Sequence, residues 1–580
     1  MPTHMKKSLS RHGAWLIALP LGIGVWLFWA MAYPHALFYH EQFQLFLFGN
    51  GYLSTCLAEP GGLARWTAEL LVQFYNNPYY GATVLALLFM LIYGFTRQLL
   101  QCSSAALLPP FLLWYAMGDE NVLLAYAVAL AMALAVCLGV RAVRNSRWGL
   151  ALLAVAGMPL LYWLIGPMAF LPALYMAVIL PMSTTRRLFT AVMGLLALLT
   201  AIATVVVASH LLPYPTDRFW IGISYYRVPQ VLPLLFVVIP VVVLLCCALC
   251  RRLLAPAAKR SQLAAAAVTA VLVALAVLLI PRGFDAKKYE LIGYDYLVRT
   301  AQWKAIISKA EQQQPDLPMS VAATNLALAM EHQLGERAFQ FFQRGTQGLL
   351  PPFERNFATT QLTGEIYFRL GLVNTAQRFA FEAMEALPNY AKSVRVMRRL
   401  AETNLVNGQY AVARKYLQLL EKTLFYRKWA QQTMTLLSNE EAIDSHPLYG
   451  HLRKVRLQED ILFSDKEIDR ICGQLFLHNK QNTVAMQYLL MWPLMNRDIP
   501  TFMQYAQVVQ NNTIYRPRHI EEAICYAFGM QQQRPPQELV SEPVATQFLK
   551  FANAYNQGGR QNPALLQPFK NTVWYYLVSK

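Results

Sequence analysis

Apolar runs of about 15–22 residues recur along the first half of the chain, and they limit its fold more than any other feature. They lie at 14–32, 81–100, 105–117, 122–140, 148–165, 168–183, 188–209, 229–250 and 263–281. A run of that length has the reach of one bilayer crossing as a helix. In hydrocarbon every backbone N–H and C=O must bond within the segment, which selects the helix. Nine spans are expected. Of these, 105–117 and 168–183 are short enough to be tilted or re-entrant, and Pro109-Pro110 breaks the third. Charged residues make up 14% of the chain, against about 25% in soluble proteins. The deficit sits in this half, and from about Arg282 the composition is that of a soluble chain.

Charge orients the spans. The N-terminus carries Lys6, Lys7 and Arg11, and the first run ends in Ala30-Met31-Ala32, which resembles a signal-peptidase site. This run is expected to stay attached as the first span, because many spans follow it. With the N-terminus inside, the inner loops hold Arg97, Arg141, Arg144, Arg147, Arg186, Arg187, Arg251, Arg252, Lys259 and Arg260 as well, thirteen cations in all. The outer loops hold three, Arg65, Arg218 and Arg227. Cytoplasmic loops concentrate Lys and Arg, so this asymmetry sets the orientation. An odd number of spans then puts residues 283–580 outside the cytoplasm, in the periplasm if the membrane is a bacterial inner membrane. Within the net charge of +18, most cations of the membrane half are explained by these loops. No dense basic patch with interleaved aromatics points to nucleic acid.

The acids follow the same geography. Between residues 1 and 281 there are Glu41, Glu59, Glu69, Asp119, Glu120 and Asp217, and all six fall on the outer side. The first outer loop, 33–80, is the longest interruption, and a loop of that size usually has work to do. It carries His40, Glu41, Gln42 and Gln44 near its start, then Pro60-Gly61-Gly62, Arg65 and Glu69. Asp119-Glu120-Asn121 forms a tight turn at the outer surface. Glu41 with an acid of that turn makes a pair suited to acid/base work or to a divalent cation. The competing reading is a solvated helix cap. The outer loop 210–228 supplies Arg218, Trp220, Tyr225, Tyr226 and Arg227. Arginine forks read phosphate, while the aromatics suit either sugar stacking or the interfacial belt. Of the eight cysteines, Cys247-x-x-Cys250 has no second pair and no nearby His, which makes its members small apolar helix residues. Cys472 and Cys525 could pair if their compartment is oxidising.

The strings His40-Glu41-Gln42-x-Gln44-Leu45-Phe46-Leu47-Phe48, Pro60-Gly61-Gly62-Leu63-Ala64, Gln73-Phe74-Tyr75 and Tyr294-Asp295-Tyr296-Leu297-Val298-Arg299 resemble the signatures of an uncharacterised bacterial integral-membrane family, a domain of unknown function. That resemblance covers nearly the whole chain and implies no activity. More distantly, the first half is similar in layout to the GT-C superfamily of membrane glycosyltransferases. That likeness implies a lipid-linked sugar donor, a polyprenyl phosphate, used at the outer face. It matches Glu41 to the superfamily's first-loop acid, and Asp119 or Glu120 to its second acidic motif. Under it Glu41 is the general base, and Arg218 or Arg227 holds the departing lipid phosphate. His40, Gln42, Gln44, Arg65, Glu69 and Tyr225 would line the substrate site. GT-C first loops more often carry Asp in a paired motif, whereas Glu41 stands alone between His40 and Gln42.

The second half is helical and amphipathic, with a repeat. Anchors at Ala301, Gly335, Gly371 and Gly408 step by 34, 36 and 37 residues, each with an alanine a few positions later. This resembles tetratricopeptide repeats, whose helix pairs stack into a solenoid with a concave protein-binding face. The expected domains are therefore a membrane domain at 1–282, TPR-like repeats at 283–440 and a further helical extension at 441–580. His332, His446, His451, His478 and His519 lack metal-ligand spacing. The expected fold is all-α, a polytopic GT-C-like bundle followed by an extracytoplasmic TPR-like solenoid. Two functions fit it, namely a GT-C-like transferase or a degenerate relative, and a non-enzymatic membrane-anchored scaffold for envelope assembly. A transporter fits less well, because the spans lack internal charge.

Overall fold

A computed structural model describes residues 16–49, 51–222, 235–254, 262–354, 357–387, 391–458, 464–559 and 562–579. The described residues form helices and turns, and the one β-bridge among them joins Arg344 and Thr346. The chain divides into two units. The first is Met1–Tyr289 with Leu387–Val394 and Leu419–Lys428; the second holds the remainder.

In the first unit, α1 (Leu16–Ala32) meets α2 (Pro34–Gln42) at an 81° bend. The bend has a local cause. Residues Phe28–Ala32 form a π-turn, Tyr33 leaves the helical region at φ −131°, and Pro34 starts a new helix where its missing N–H costs nothing. The stretch 33–80 is largely helical among its described residues. It contains α2, a turn at Tyr52–Cys56, α3 (Gly62–Val72) and a 3₁₀ turn at Gln73–Asn76. α4 (Pro78–Leu100) then opens with Pro78, and Asn77 caps it by accepting from the Tyr79 N–H at 2.9 Å.

α5 (Ala105–Ala116), α6 (Leu124–Ala142), α7 (Arg147–Ser183), α8 (Arg187–Leu211), α9 (Val237–Arg251) and α10 (Ala265–Gly283) complete the unit. Five helices, α4, α6, α7, α8 and α10, are long and apolar enough to cross a membrane, and the bent α1–α2 pair makes a sixth. The runs at 105–117 and 229–250 emerge as the shorter helices α5 and α9. The runs 148–165 and 168–183 emerge as one helical stretch, α7, broken at Gly166 (φ 62°, ψ −150°). At about 1.5 Å per residue, an unbroken α7 would outrun a bilayer, and the break lets it turn.

Packing sorts the helices. α3 lies against α6 and the Met158–Ile165 part of α7, while α8 runs along α7. The α7–α8 approach is close. A Cβ added at Gly194 would fall 2.2 Å from the Ala177 Cα. Leu188, Leu195, Leu199 and Val207 of α8 point outward, as do Val271, Val277 and Leu278 of α10. Helices this apolar with so little burial belong in lipid. An aromatic cluster gathers at the α1–α2 bend, where Tyr33 stands 4.3 Å from Phe284 and 4.7 Å from both Phe28 and Tyr289.

The second unit is a series of helix pairs, such as Phe357–Leu370 with Val373–Glu385 and Val394–Val406 with Tyr410–Glu421. Gly371 (φ 96°) and Gly408 (φ 75°) turn these two pairs, and only a left-handed residue closes such a turn. Ala301 (φ 54°) and His332 (φ 59°) do the same without the freedom of glycine. The later helices Ile468–His478 and Thr483–Met495 also pack as a pair.

Candidate functional site

Two polar clusters lie in the first unit. The larger is built on α3. Arg65 and Glu69 are one turn apart, so their side chains meet on one helix face, Nε to Oε1 at 2.9 Å. The Arg65 fork also reaches Glu59, Nη1 to Oε2 at 3.0 Å. Tyr52 donates to Glu69. Tyr214, from the stretch that follows α8, donates to Glu59 at 2.8 Å. Glu69 is buried, while Arg65 and Glu59 are partly exposed. Burial opposes the Arg65 charge, but Glu69 and Glu59 outweigh it, and the guanidinium is held above its ordinary value. Burial, then Glu69, pushes the Tyr52 phenol up, and the same two causes push the Cys56 thiol up to about 11.

The backbone under this cluster is clamped. Gly61 (φ 83°) donates its N–H to the Trp163 carbonyl at 2.8 Å, and the Trp163 indole donates to the Leu57 carbonyl at 2.8 Å. Gly61 and Gly166 face each other, with an added Cβ on Gly61 only 3.5 Å from the Gly166 nitrogen. The Pro60-Gly61-Gly62 turn therefore fits into the break of α7.

The second cluster surrounds α2. His40, Glu41, Gln42 and Gln44 are all buried. Glu41 accepts a hydrogen bond from the Tyr426 hydroxyl at 3.2 Å. Tyr426 lies on the segment Leu419–Lys428, which belongs to this unit. The same segment receives the Phe48 N–H on the Lys422 carbonyl at 2.8 Å and gives its Leu424 N–H to Gln73 Oε1 at 3.2 Å. Gln42 Nε2 donates back to the Phe38 carbonyl at 2.8 Å. Asp119 acts on His40 electrostatically and caps its own turn through the Asn121 N–H at 2.9 Å. Glu120 pairs with Lys288 at the start of the next helical segment. That hydrogen bond first, with the acids beside it, raises the lysine's pKa against a smaller burial effect.

Arg65 and Glu69 are thus brought together by α3, and His40 and Asp119 lie within electrostatic reach. Arg218 is buried on Thr216–Ile221 and pairs with Asp217 at 3.3 Å. Tyr225 and Arg227 lie outside the described residues. Among the described residues no three His, Cys, Asp or Glu side chains gather closely enough to hold a metal. Tyr214, Tyr426 and Lys288 join the clusters from 155, 385 and 168 residues away in sequence. No spacing pattern announces such partners.

The architecture defines an all-helical protein whose first half holds five or six helices long and apolar enough to cross a membrane. The chain belongs to the family of unknown function DUF6057, whose sequence model matches residues 7–580. No curated protein and no solved structure matches it.

Proposed function

We propose that the protein is a GT-C-like membrane glycosyltransferase, or a relative descended from one. In this reading it works at the outer face of a bacterial inner membrane on a polyprenyl-phosphate sugar. The N-terminus is cytoplasmic, nine segments cross the bilayer, and the second unit is a periplasmic TPR-like solenoid that presents an acceptor or a protein partner. The observation that carries the reading is Glu41, a carboxylate buried near the C-terminal end of α2, the helix that follows the bend after α1. Buried acids in such positions are candidates for proton transfer.

In the reaction, the acceptor hydroxyl gives its proton to Glu41 as its oxygen bonds to the anomeric carbon of the sugar. The bond from that carbon to the phosphate oxygen breaks, and the lipid phosphate leaves with the electron pair. Arg218 receives the phosphate charge, and Tyr426 orients Glu41. The test is transfer of a lipid-linked sugar by membranes bearing Glu41→Gln. A fall of about a hundredfold or more is expected from loss of a general base, with membrane insertion intact. Unchanged transfer removes Glu41 from the chemistry.

A second reading, a membrane-anchored scaffold for envelope proteins, is favoured by a different observation. Glu59 and Glu69 are engaged with Arg65, and Glu120 with Lys288, as in a fold that uses its acids to hold itself together. Under that reading Glu41→Gln leaves the phenotype intact, while removal of the helical repeats abolishes it.

A further inference from the structure

Beside α2 the first unit encloses a cavity of about 10 Å3, lined by Trp29, His40, Gln44 and Tyr75 among apolar side chains such as Leu85 and Val122. Three of these residues carry polar atoms that are buried and have no hydrogen-bond partner: Trp29 Nε1, Gln44 Nε2 and the Tyr75 hydroxyl. Their residues are 1%, 6% and 2% exposed. A buried polar group left unsatisfied is costly, so three such groups on residues that line one cavity call for an occupant.

The donors say what the occupant is. The lining offers uncharged indole, amide, phenol and imidazole groups and no carboxylate to balance a cation. Asp119 acts on His40 in the same wall, which disfavours an anion. The volume suits one water molecule. We infer that this cavity is a binding site for a single internal water. The water accepts from Trp29 Nε1 and Gln44 Nε2 and donates to the Tyr75 oxygen. The His40 imidazole lies in the same wall and can take its second hydrogen. Trp29 lies in the π-turn that ends α1, Gln44 follows α2, and Tyr75 precedes α4. The water therefore pins three separate stretches around the first outer loop. This inference is independent of any chemistry at Glu41.

Radiolytic hydroxyl labelling of the full-length protein in detergent micelles tests it, because a bound water generates the radical beside the side chains it touches. Tyr162 is the control, equally buried but with its hydroxyl satisfied by the Phe219 carbonyl at 2.8 Å. Oxidation of Tyr75 and Trp29 is expected to exceed that of Tyr162 by about threefold or more. Gln44→Leu is expected to abolish the excess. Replacing chloride by gluconate is expected to leave it unchanged. Labelling of Tyr75 and Trp29 no greater than that of Tyr162 in the native protein overturns the proposal without recourse to any variant. An excess that appears only after chloride is removed overturns it in favour of a halide that holds the cavity.

Discussion

Arg65 has two carboxylate partners, Glu69 and Glu59. Glu69 is reached along the helix, Glu59 through the Pro-Gly-Gly turn. Removing the guanidinium leaves Glu69 buried and uncompensated. Arg65→Ala is expected to cost about 2–4 kcal/mol, below the full value of a buried pair because Arg65 is itself 28% exposed. A drop in the thermal unfolding midpoint in detergent is the measurement. Arg65→Lys should recover only part of the loss, since one ammonium cannot fork between two acids.

A second residue-scale case lies in the second unit. Glu365 is buried, and burial alone would raise its pKa. Arg399, Arg369 and Arg395 outweigh this and hold the carboxyl below its ordinary value. Arg369 bonds it at 2.8 Å, and Arg399 also pairs with it. A carboxyl depressed in the folded state stabilises fully above its unfolded value, about 4.3. That stabilisation is lost as pH falls through the folded value. Unfolding midpoints should therefore decline as pH drops below about 4. Glu365→Gln should lower stability at neutral pH and flatten the acid limb. An unchanged acid limb in the variant would assign the decline to other acids.

At the level of elements, Gly194 sets how closely α8 approaches α7. Any side chain there meets the Ala177 backbone rather than a yielding side-chain tip. Gly194→Leu is expected to force the helices apart at a cost of about 1–3 kcal/mol or more. It should be read as loss of a monodisperse peak on size exclusion. Gly194→Ala should show the same effect more weakly. Helix existence was readable here from apolar runs, and the structure places α4, α6 and α8 within a few residues of them. What apolarity could not report was continuity. Runs 148–165 and 168–183 look like two spans because Gly166-Pro167 falls between them, yet they form one helical stretch that turns at that glycine. The stretch 33–80 has mixed composition and reads as a loop. Its helices form because they bury Ala64, Ala68 and Val72 against neighbours that local sequence does not name.

At the scale of the molecule, the proposed orientation makes a direct prediction. A cysteine introduced near Lys6 should react with an impermeant maleimide only after permeabilisation of the inner membrane, and one introduced at exposed Gln531 should react before it. Equal protection of both would require an even number of crossings, and the periplasmic reading of the repeats would fall with it.

The amino-acid order alone determined that this chain is helical, that its first half is suited to lipid, and that acids are scarce in that half. These are properties of composition and period, summed over neighbours in sequence. Tertiary structure alone decided which donor each acid meets. Glu59 finds Tyr214, Glu41 finds Tyr426 and Glu120 finds Lys288 because packing brings distant segments within hydrogen-bond range. Such bonds act over about 3 Å, a length on which separation along the chain carries no information.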